Sequence, residues 1–315
     1  MTESYSLLDA AYAAARWGWY LTVFLVLGAS SYAPFLLRVR TGLAATHPEL
    51  AIDLARRAAR IGLIAAIFLL GFVVLRLYLQ SKTLLDPEEP VTLEFLRAVV
   101  GSGWGRGWLR QAAMALVALL AFGAAVRASR FGWMVAAAAS GGLGLVAGMT
   151  GHASTARGGS LGVLLNAAHV WAGGFWLGGL AVMLLAGLAA CRSLPDDERP
   201  GLVRMLVADF SRRALVFGPM AIGLGIWLAA RYLGWNFPLH LLESRYGTAL
   251  TVKLIALAGV AGVGAYNWRV VQPALGKPSG EPRLRATARL ELLLGGVLLA
   301  ATAVLVALPL PGDEM

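Results

Sequence analysis

Histidine is the residue type in this sequence with the clearest chemical use. Three of the four histidines lie after residue 130, at His152, His169 and His240. Imidazole nitrogen is a good ligand for copper and for heme iron, and the thioether of Met149, three residues before His152, suits Cu(I). The chain has one cysteine, Cys191, which excludes an internal disulfide and every metal motif built on paired thiolates. These residue types favour a metal or heme site of histidine, with methionine as a further ligand.

The densest pattern is the segment NAAHVWAGGFWLGGL, residues 166–180. On a helix, Asn166, His169 and Trp176 share one face because their spacings are three and seven residues. An imidazole within a membrane helix is costly unless it is paired or ligating, so we interpret His169 as functional. The pair Gly174 and Gly178 forms GxxxG, for which close packing of a neighbouring helix is the favoured interpretation.

Among the charged residues that fall within apolar runs, Lys253 and Glu291 could carry chemistry. Each could reach an interface or pair with a neighbour such as Arg213 or Arg269, and a structural role is favoured for Glu291. The chain has no Walker loop, no dinucleotide fingerprint and no nucleophile elbow. Transport driven by ATP bound to this chain alone is therefore not predicted, and a transporter or metal-binding protein is favoured over an enzyme.

The elements that must position these residues are transmembrane helices. The chain is 58% hydrophobic and 14% charged, with a mean hydropathy of +0.70, which a water-soluble interior could not accommodate. Runs of about 20 apolar residues are long enough to cross the bilayer as helices and too long for barrel strands. They predict an all-α, polytopic membrane bundle of about eight helices, at residues 17–37, 59–80, 107–126, 131–150, 163–190, 211–232, 247–270 and 286–309. Between the second and third runs, VTLEFLRAVV predicts a short interfacial helix.

The distribution of basic residues predicts the orientation. Successive loops, counted with the helix ends next to them, alternate between the two sides of the membrane. One side carries seventeen Lys and Arg residues, and the other side, which includes both termini, carries eight. The positive-inside rule makes the first side cytoplasmic, so both termini are predicted to be periplasmic. His152, His169 and His240 then face the periplasmic side, and His47 faces the cytoplasm. The net charge of +10 reflects this topology, and nucleic acid is not a predicted partner.

We divide the chain near residue 130. Residues 1–130 form an N-terminal region of three helices, and residues 131–315 form a membrane domain of five helices that is richer in histidine, glycine and tryptophan. The chemistry is predicted to lie in the second region, with the first region as scaffold.

The second region resembles the CopD family of copper-resistance membrane proteins. TGHAS at 150–154, followed by LLNAAHVWAGGFWLGGL, is similar to the family's GHA loop and its histidine, tryptophan and paired-glycine helix. FSRRALVFGPMAIGLGIWLA, the segment from RYGTALTVKL to Asn267, and RLELLLGGVLLAATAVLVALPLP with Glu291 are similar to its later spans. The resemblance covers about residues 140–311.

The resemblance implies copper uptake or handling at the bacterial inner (cytoplasmic) membrane, with a periplasmic CopC-type copper-binding protein as partner. It makes His152 and His169 the first candidates for copper ligands, with Trp171 and Trp176 shaping the site. Lys253 and Glu291 occupy family-matching charged positions. His240 and Met149 are further candidate ligands from topology and spacing.

Two alternatives stay open at this point. The first is a membrane electron-transfer protein or oxidoreductase that binds heme b through His152 and His169, which would require the two imidazoles to face each other across helices. The second is a structural or assembly subunit whose histidines are incidental.

Overall fold

The computed structural model describes residues 7–32, 48–147, 149, 159–236, 238, 241–242, 244–277 and 279–308. Over these residues the regular structure is helical and includes no β-strand. Eight of the helices are long and apolar enough to cross a membrane, which confirms the predicted all-α architecture and number of spans.

We number the helices in chain order. The first five are α1 (Leu7–Ser30), α2 (Pro48–Lys82), α3 (Leu93–Gly101), α4 (Gly103–Val126) and α5 (Arg130–Ala147). The remaining four are α6 (Gly159–Ala190), α7 (Arg199–Leu233), α8 (Arg245–Tyr266) and α9 (Gly280–Leu305). The short helix α3 is the predicted interfacial helix, and it is not among the eight spans. The hydroxyl of Thr92 caps its first turn by accepting a hydrogen bond from the Phe95 amide.

Several helices extend beyond the predicted apolar runs. The first begins at Leu7, ten residues before the predicted start, and its described part ends at Ser30. The alanine-rich stretch DAAYAAAR favours helix strongly enough to continue it past the apolar run. Both α2 and α7 contain 35 residues, which is about 52 Å of helix against a hydrocarbon core of about 30 Å. Their basic ends therefore project beyond the apolar layer.

Helix α1 packs against α2 and also against α6 and α9 of the second half. It crosses α6 at two glycines, because a Cβ added at Gly28 would lie 2.2 Å from the carbonyl carbon of Gly178. A Cβ added at Gly174 would lie 2.5 Å from a methyl carbon of Leu27. The interpretation of GxxxG as a close helix crossing is thus confirmed. The division of the chain near residue 130 stays a prediction.

A buried arginine connects the helices of the first half. Arg76 of α2 is 7% exposed and donates a hydrogen bond of 3.0 Å to Oε1 of Gln111 in α4. Its guanidinium also lies 5.1 Å from the ring centroid of Trp19 in α1. An ionised group in the apolar layer is costly, and hydrogen bonding together with an aromatic face lowers that cost. This contact network joins α1, α2 and α4.

The basic ends of α7 and α9 are joined by one carboxylate. Glu281 accepts hydrogen bonds from Arg199 at 2.8 Å and from Arg285 at 2.6 Å. Because these side chains are only partly exposed, the ion pairs are screened less than those at an open surface. The pair of Arg199 with Glu281 positions α9 relative to α7 at the arginine-rich end of the bundle.

The same end contains Cys191, for which the structure predicts low reactivity. The side chain is fully buried, and burial, with a smaller contribution from the Glu281 carboxylate, raises the pKa of the thiol to about 11. The thiolate is the reactive form, so raising the pKa leaves roughly one thiolate per thousand molecules at pH 8. We expect iodoacetamide to leave Cys191 unmodified in the folded protein at pH 8 and to modify it after denaturation in SDS, as measured by mass spectrometry. Rapid modification of the folded protein would contradict its burial.

Candidate functional site

His169 lies in α6, ten residues after the start of that helix, and its side chain faces α7. Nδ1 lies 2.8 Å from the backbone carbonyl oxygen of Ala221. Since a carbonyl oxygen only accepts hydrogen bonds, Nδ1 carries the proton and donates it. In the neutral ring, Nε2 then holds the lone pair that could bind a metal ion. Donation of the second ring N–H to a carbonyl is the arrangement that orients ligating histidines in metalloproteins.

Two further residues set the surroundings of this imidazole. A Cβ added at Gly225 of α7 would lie 3.0 Å from Cε1 of His169, so the ring packs closely on that glycine. Lys253 of α8 is near enough for its charge to act on the imidazole. The half-buried Asn166 lies about one turn before His169 along α6. The helices α6, α7 and α8 therefore all contribute to the surroundings of His169.

The two tryptophans of the motif face different helices. Trp171 donates a hydrogen bond of 2.9 Å from Nε1 to the carbonyl of Gly141 in α5. Trp176 is buried and packs on Gly218 of α7, where an added Cβ would lie 3.5 Å from the indole ring. Trp176 thus shares the α7-facing side of α6 with His169, as its spacing predicts, whereas Trp171 joins α6 to α5.

Glu291 of α9 is 3% exposed, and it interacts with neutral partners. Its Oε2 accepts a hydrogen bond of 3.0 Å from Nδ2 of Asn267. The Trp176 side chain also acts on the carboxyl group as a hydrogen-bond donor. The suggested partners Arg213 and Arg269 are engaged elsewhere, because Arg213 bonds to Asp209 at 2.6 Å and Arg269 stacks on Trp268.

A cavity of about 310 Å³ lies beside Glu291, between α6, α7, α8 and α9. Its walls extend from Trp176 and Gly218 to Ser211 and Arg269, toward the arginine-rich ends of these helices. Three π-helical segments each contribute a wall residue, namely Gly174–Gly178 with Trp176, Met183–Gly187 with Met183, and Asn267–Val271 with Asn267. Such π segments occur frequently at functional sites.

The other candidate ligands are not assembled around His169 in the described structure. His152 and His240 lie outside the described residues. Sδ of Met149 lies 3.5 Å from a guanidinium nitrogen of Arg110, so a cation already contacts this thioether. Within the described ranges, no group of three or more His, Cys, Asp or Glu residues is arranged to hold a metal ion.

Sequence reasoning missed the pairing of Glu291 with Asn267 and the electrostatic effect of Lys253 on His169. Glu291 and Asn267 lie 24 residues apart on different helices, and no local spacing relates them. The available signals were a carboxylate and an amide at the same membrane depth of antiparallel neighbours. To predict this contact from those signals, one would have to know how α8 and α9 are aligned along their lengths.

The fold and these polar groups define a multi-pass helical membrane protein with a histidine and a carboxylate inside the bundle. Two family models match the chain: "Copper resistance protein D-like, N-terminal domain" matches residues 7–163, and "Copper resistance protein D" matches residues 204–305. The chain belongs to the CopD family of copper resistance proteins.

A curated relative is the copper transport protein CutJ of Bacillus subtilis (strain 168), which is 26% identical over 244 residues. The alignment covers 69% of this chain and 42% of CutJ, so the chain spans less than half the length of that relative. No solved structure matches the chain significantly. The family and the relative associate the chain with copper, and neither supports the heme b alternative.

Proposed function

We propose that this chain imports copper ions across the bacterial cytoplasmic membrane and takes them up at a periplasm-facing site that includes His169. The observation that carries the proposal is the hydrogen bond from Nδ1 of His169 to the Ala221 carbonyl, which leaves Nε2 available as a ligand in a membrane helix. Family membership identifies copper as the proposed ion, because both matching family models describe copper resistance proteins.

The orientation follows from the arginine distribution. The arginine-rich ends of α7 and α9 face the cytoplasm in this proposal, and both chain termini face the periplasm. His169 then lies about 15 Å along α6 from its periplasmic end, at Gly159. His152 and His240, in the adjoining periplasmic segments, are proposed as further ligands, and Met149 contributes only if it leaves Arg110.

A periplasmic CopC-type protein is the proposed donor of the ion. The segments between α5 and α6 and between α7 and α8 are the proposed docking region, because they carry His152 and His240. The name of CutJ, a copper transport protein, supports transport over binding alone.

Reconstituted transport tests this function. Purified protein is placed in liposomes, copper is added outside, and copper inside is measured by mass spectrometry against protein-free liposomes. A mixed orientation is resolved by cleaving an engineered protease site at one terminus. We expect accumulation in vesicles whose protein exposes its termini outside. Copper entry equal to that of protein-free liposomes would refute the proposal. Copper entry only into vesicles whose protein has its termini inside would mean that the protein exports copper.

A further inference from the structure

The carboxyl group of Glu291 and the amide of Asn267 form a polar pair that the outer site at His169 does not include. Asn267, in the π-helical segment that continues α8, lies 14 residues after Lys253, whose charge acts on His169, and this separation corresponds to about 20 Å of helix. Helix α6 provides a connection between the two levels, because its His169 and Trp176 both face α7 and Trp176 also contacts Glu291. The pair therefore lies on the arginine-rich side of the bundle.

The hydrogen bond within the pair determines how the amide is oriented. A carboxylate oxygen accepts hydrogen bonds, so the NH₂ group of Asn267 must face Oε2 of Glu291. The amide oxygen Oδ1 then points away from that bond, and it is buried with no hydrogen-bond partner in the structure. A buried acceptor without a partner destabilises the structure, and a bound cation would compensate this cost.

The position next to this pair has room for a metal ion, and the nearby backbone lets the carboxyl group come close. Asn267, Glu291 and the thioether-bearing Met183 all line the cavity of about 310 Å³. On α8, Gly264 allows the carboxyl group to approach, because an added Cβ there would lie 3.2 Å from Oε1. A carboxylate, an amide oxygen and a thioether among the residues that line one cavity offer both hard and soft ligands to a metal ion.

Arg269 is the other charged side chain among the described residues that line this cavity. Its guanidinium carbon lies 5.6 Å from the ring centroid of Trp268, and the arginine is exposed. Its charge therefore lies at the exposed edge of the cavity and not inside the bundle. The charge that faces the interior of the cavity is the Glu291 carboxylate.

We propose that Glu291 and Asn267 form a second copper-ion site, on the cytoplasmic side of the bundle, which receives the ion after the outer site at His169. This inference rests on the proposed import of copper. The site supplies a negative charge and an amide oxygen where the ion would otherwise meet an apolar interior. The cavity walls then lead from this site toward the arginine-rich end.

Copper binding by purified full-length protein tests the second site. Protein in detergent is dialysed against buffered Cu(I) and, separately, Cu(II), and the copper bound per chain is measured by mass spectrometry. We expect Glu291→Gln to lose one copper equivalent relative to the wild type. The matched control is Glu281→Gln on the same helix, whose carboxylate bonds to two arginines outside the cavity, and it should retain the wild-type copper content.

A second pair of variants covers the case in which Glu291→Gln does not fold. In Gly264→Ala the new methyl group must displace the carboxylate by a few tenths of an ångström, and we expect at least tenfold weaker copper binding at this site. Gly262→Ala, two residues away, meets open space and should bind copper as the wild type does. Unchanged binding in Gly264→Ala, together with unchanged copper content in any folded Glu291→Gln, would overturn the second site.

Copper binding by His169→Ala distinguishes failure of the second site from failure of the proposed import function. If His169→Ala loses copper while the Glu291 and Gly264 variants bind as the wild type does, the second site is wrong and import stands. If wild-type protein neither binds copper nor carries it into liposomes, the proposed function itself fails.

Discussion

Alanine at His169 should weaken the binding of copper to the purified protein at the outer site by at least tenfold. The substitution removes the Nε2 lone pair and the ring whose orientation depends on the Ala221 carbonyl. Loss of an orienting partner alone typically costs 10- to 100-fold in metal affinity, and loss of the ligand itself should cost at least as much. The measurement is a competition titration with a chelator of known copper affinity.

A graded pair of variants distinguishes a ligand from a packing residue. In Gly225→Ala the added methyl group would lie 3.0 Å from Cε1 of His169, so the imidazole must move, whereas Gly223→Ala on the same helix meets open space. We expect copper affinity to fall in the first variant and to remain at the wild-type value in the second. Equal affinity in His169→Ala and the wild type would remove His169 from the site.

Alanine at Gly178 should have the largest effect on folding. Its Cβ would lie 1.9 Å from the carbonyl oxygen of Phe24, a backbone atom that cannot rotate away. Helices α1 and α6 would have to separate, which would disturb the crossing that holds the first half of the chain against the second. Overpacking of a core typically costs 1–3 kcal/mol, and we expect about 3 kcal/mol here because the contact is with backbone.

The melting temperature in detergent, followed by tryptophan fluorescence, measures this loss. Gly178→Ala should melt several degrees below the wild type or fail to accumulate as a monodisperse protein. The control is Gly71→Ala in α2, where an added Cβ meets open space. If Gly178→Ala and Gly71→Ala melt alike, α1 and α6 do not cross at these glycines.

The architecture could be predicted from the sequence because each span is a property of one continuous run. Apolar runs of about 20 residues are recognised without any knowledge of their neighbours, and all eight are helices in the structure. The helix ends were less predictable, because the alanine-rich start of α1 and the long basic ends of α2 and α7 continue the helix for local reasons. The close crossing at Gly178 was also predictable, because the two glycines of GxxxG lie on one helix face and leave room there for a neighbouring helix.

The candidate site could be predicted only in part. His169 and Trp176 were expected on one face of a helix, and both side chains do face α7. Their partners, the Ala221 carbonyl and the Glu291 carboxyl group, come from helices far away in the chain. Which carbonyl meets the imidazole depends on how α6 and α7 are registered, and apolar spacing does not specify that registration.

Copper accumulation in cells that express the wild type or His169→Ala tests the central claim most directly. Both proteins are matched for amount in the membrane by immunoblot, and His47→Ala, predicted to lie on the cytoplasmic side, serves as the control. The import proposal predicts copper accumulation above the vector level with the wild type and His47→Ala, and accumulation at the vector level with His169→Ala. Equal copper accumulation with the wild type and His169→Ala would contradict it.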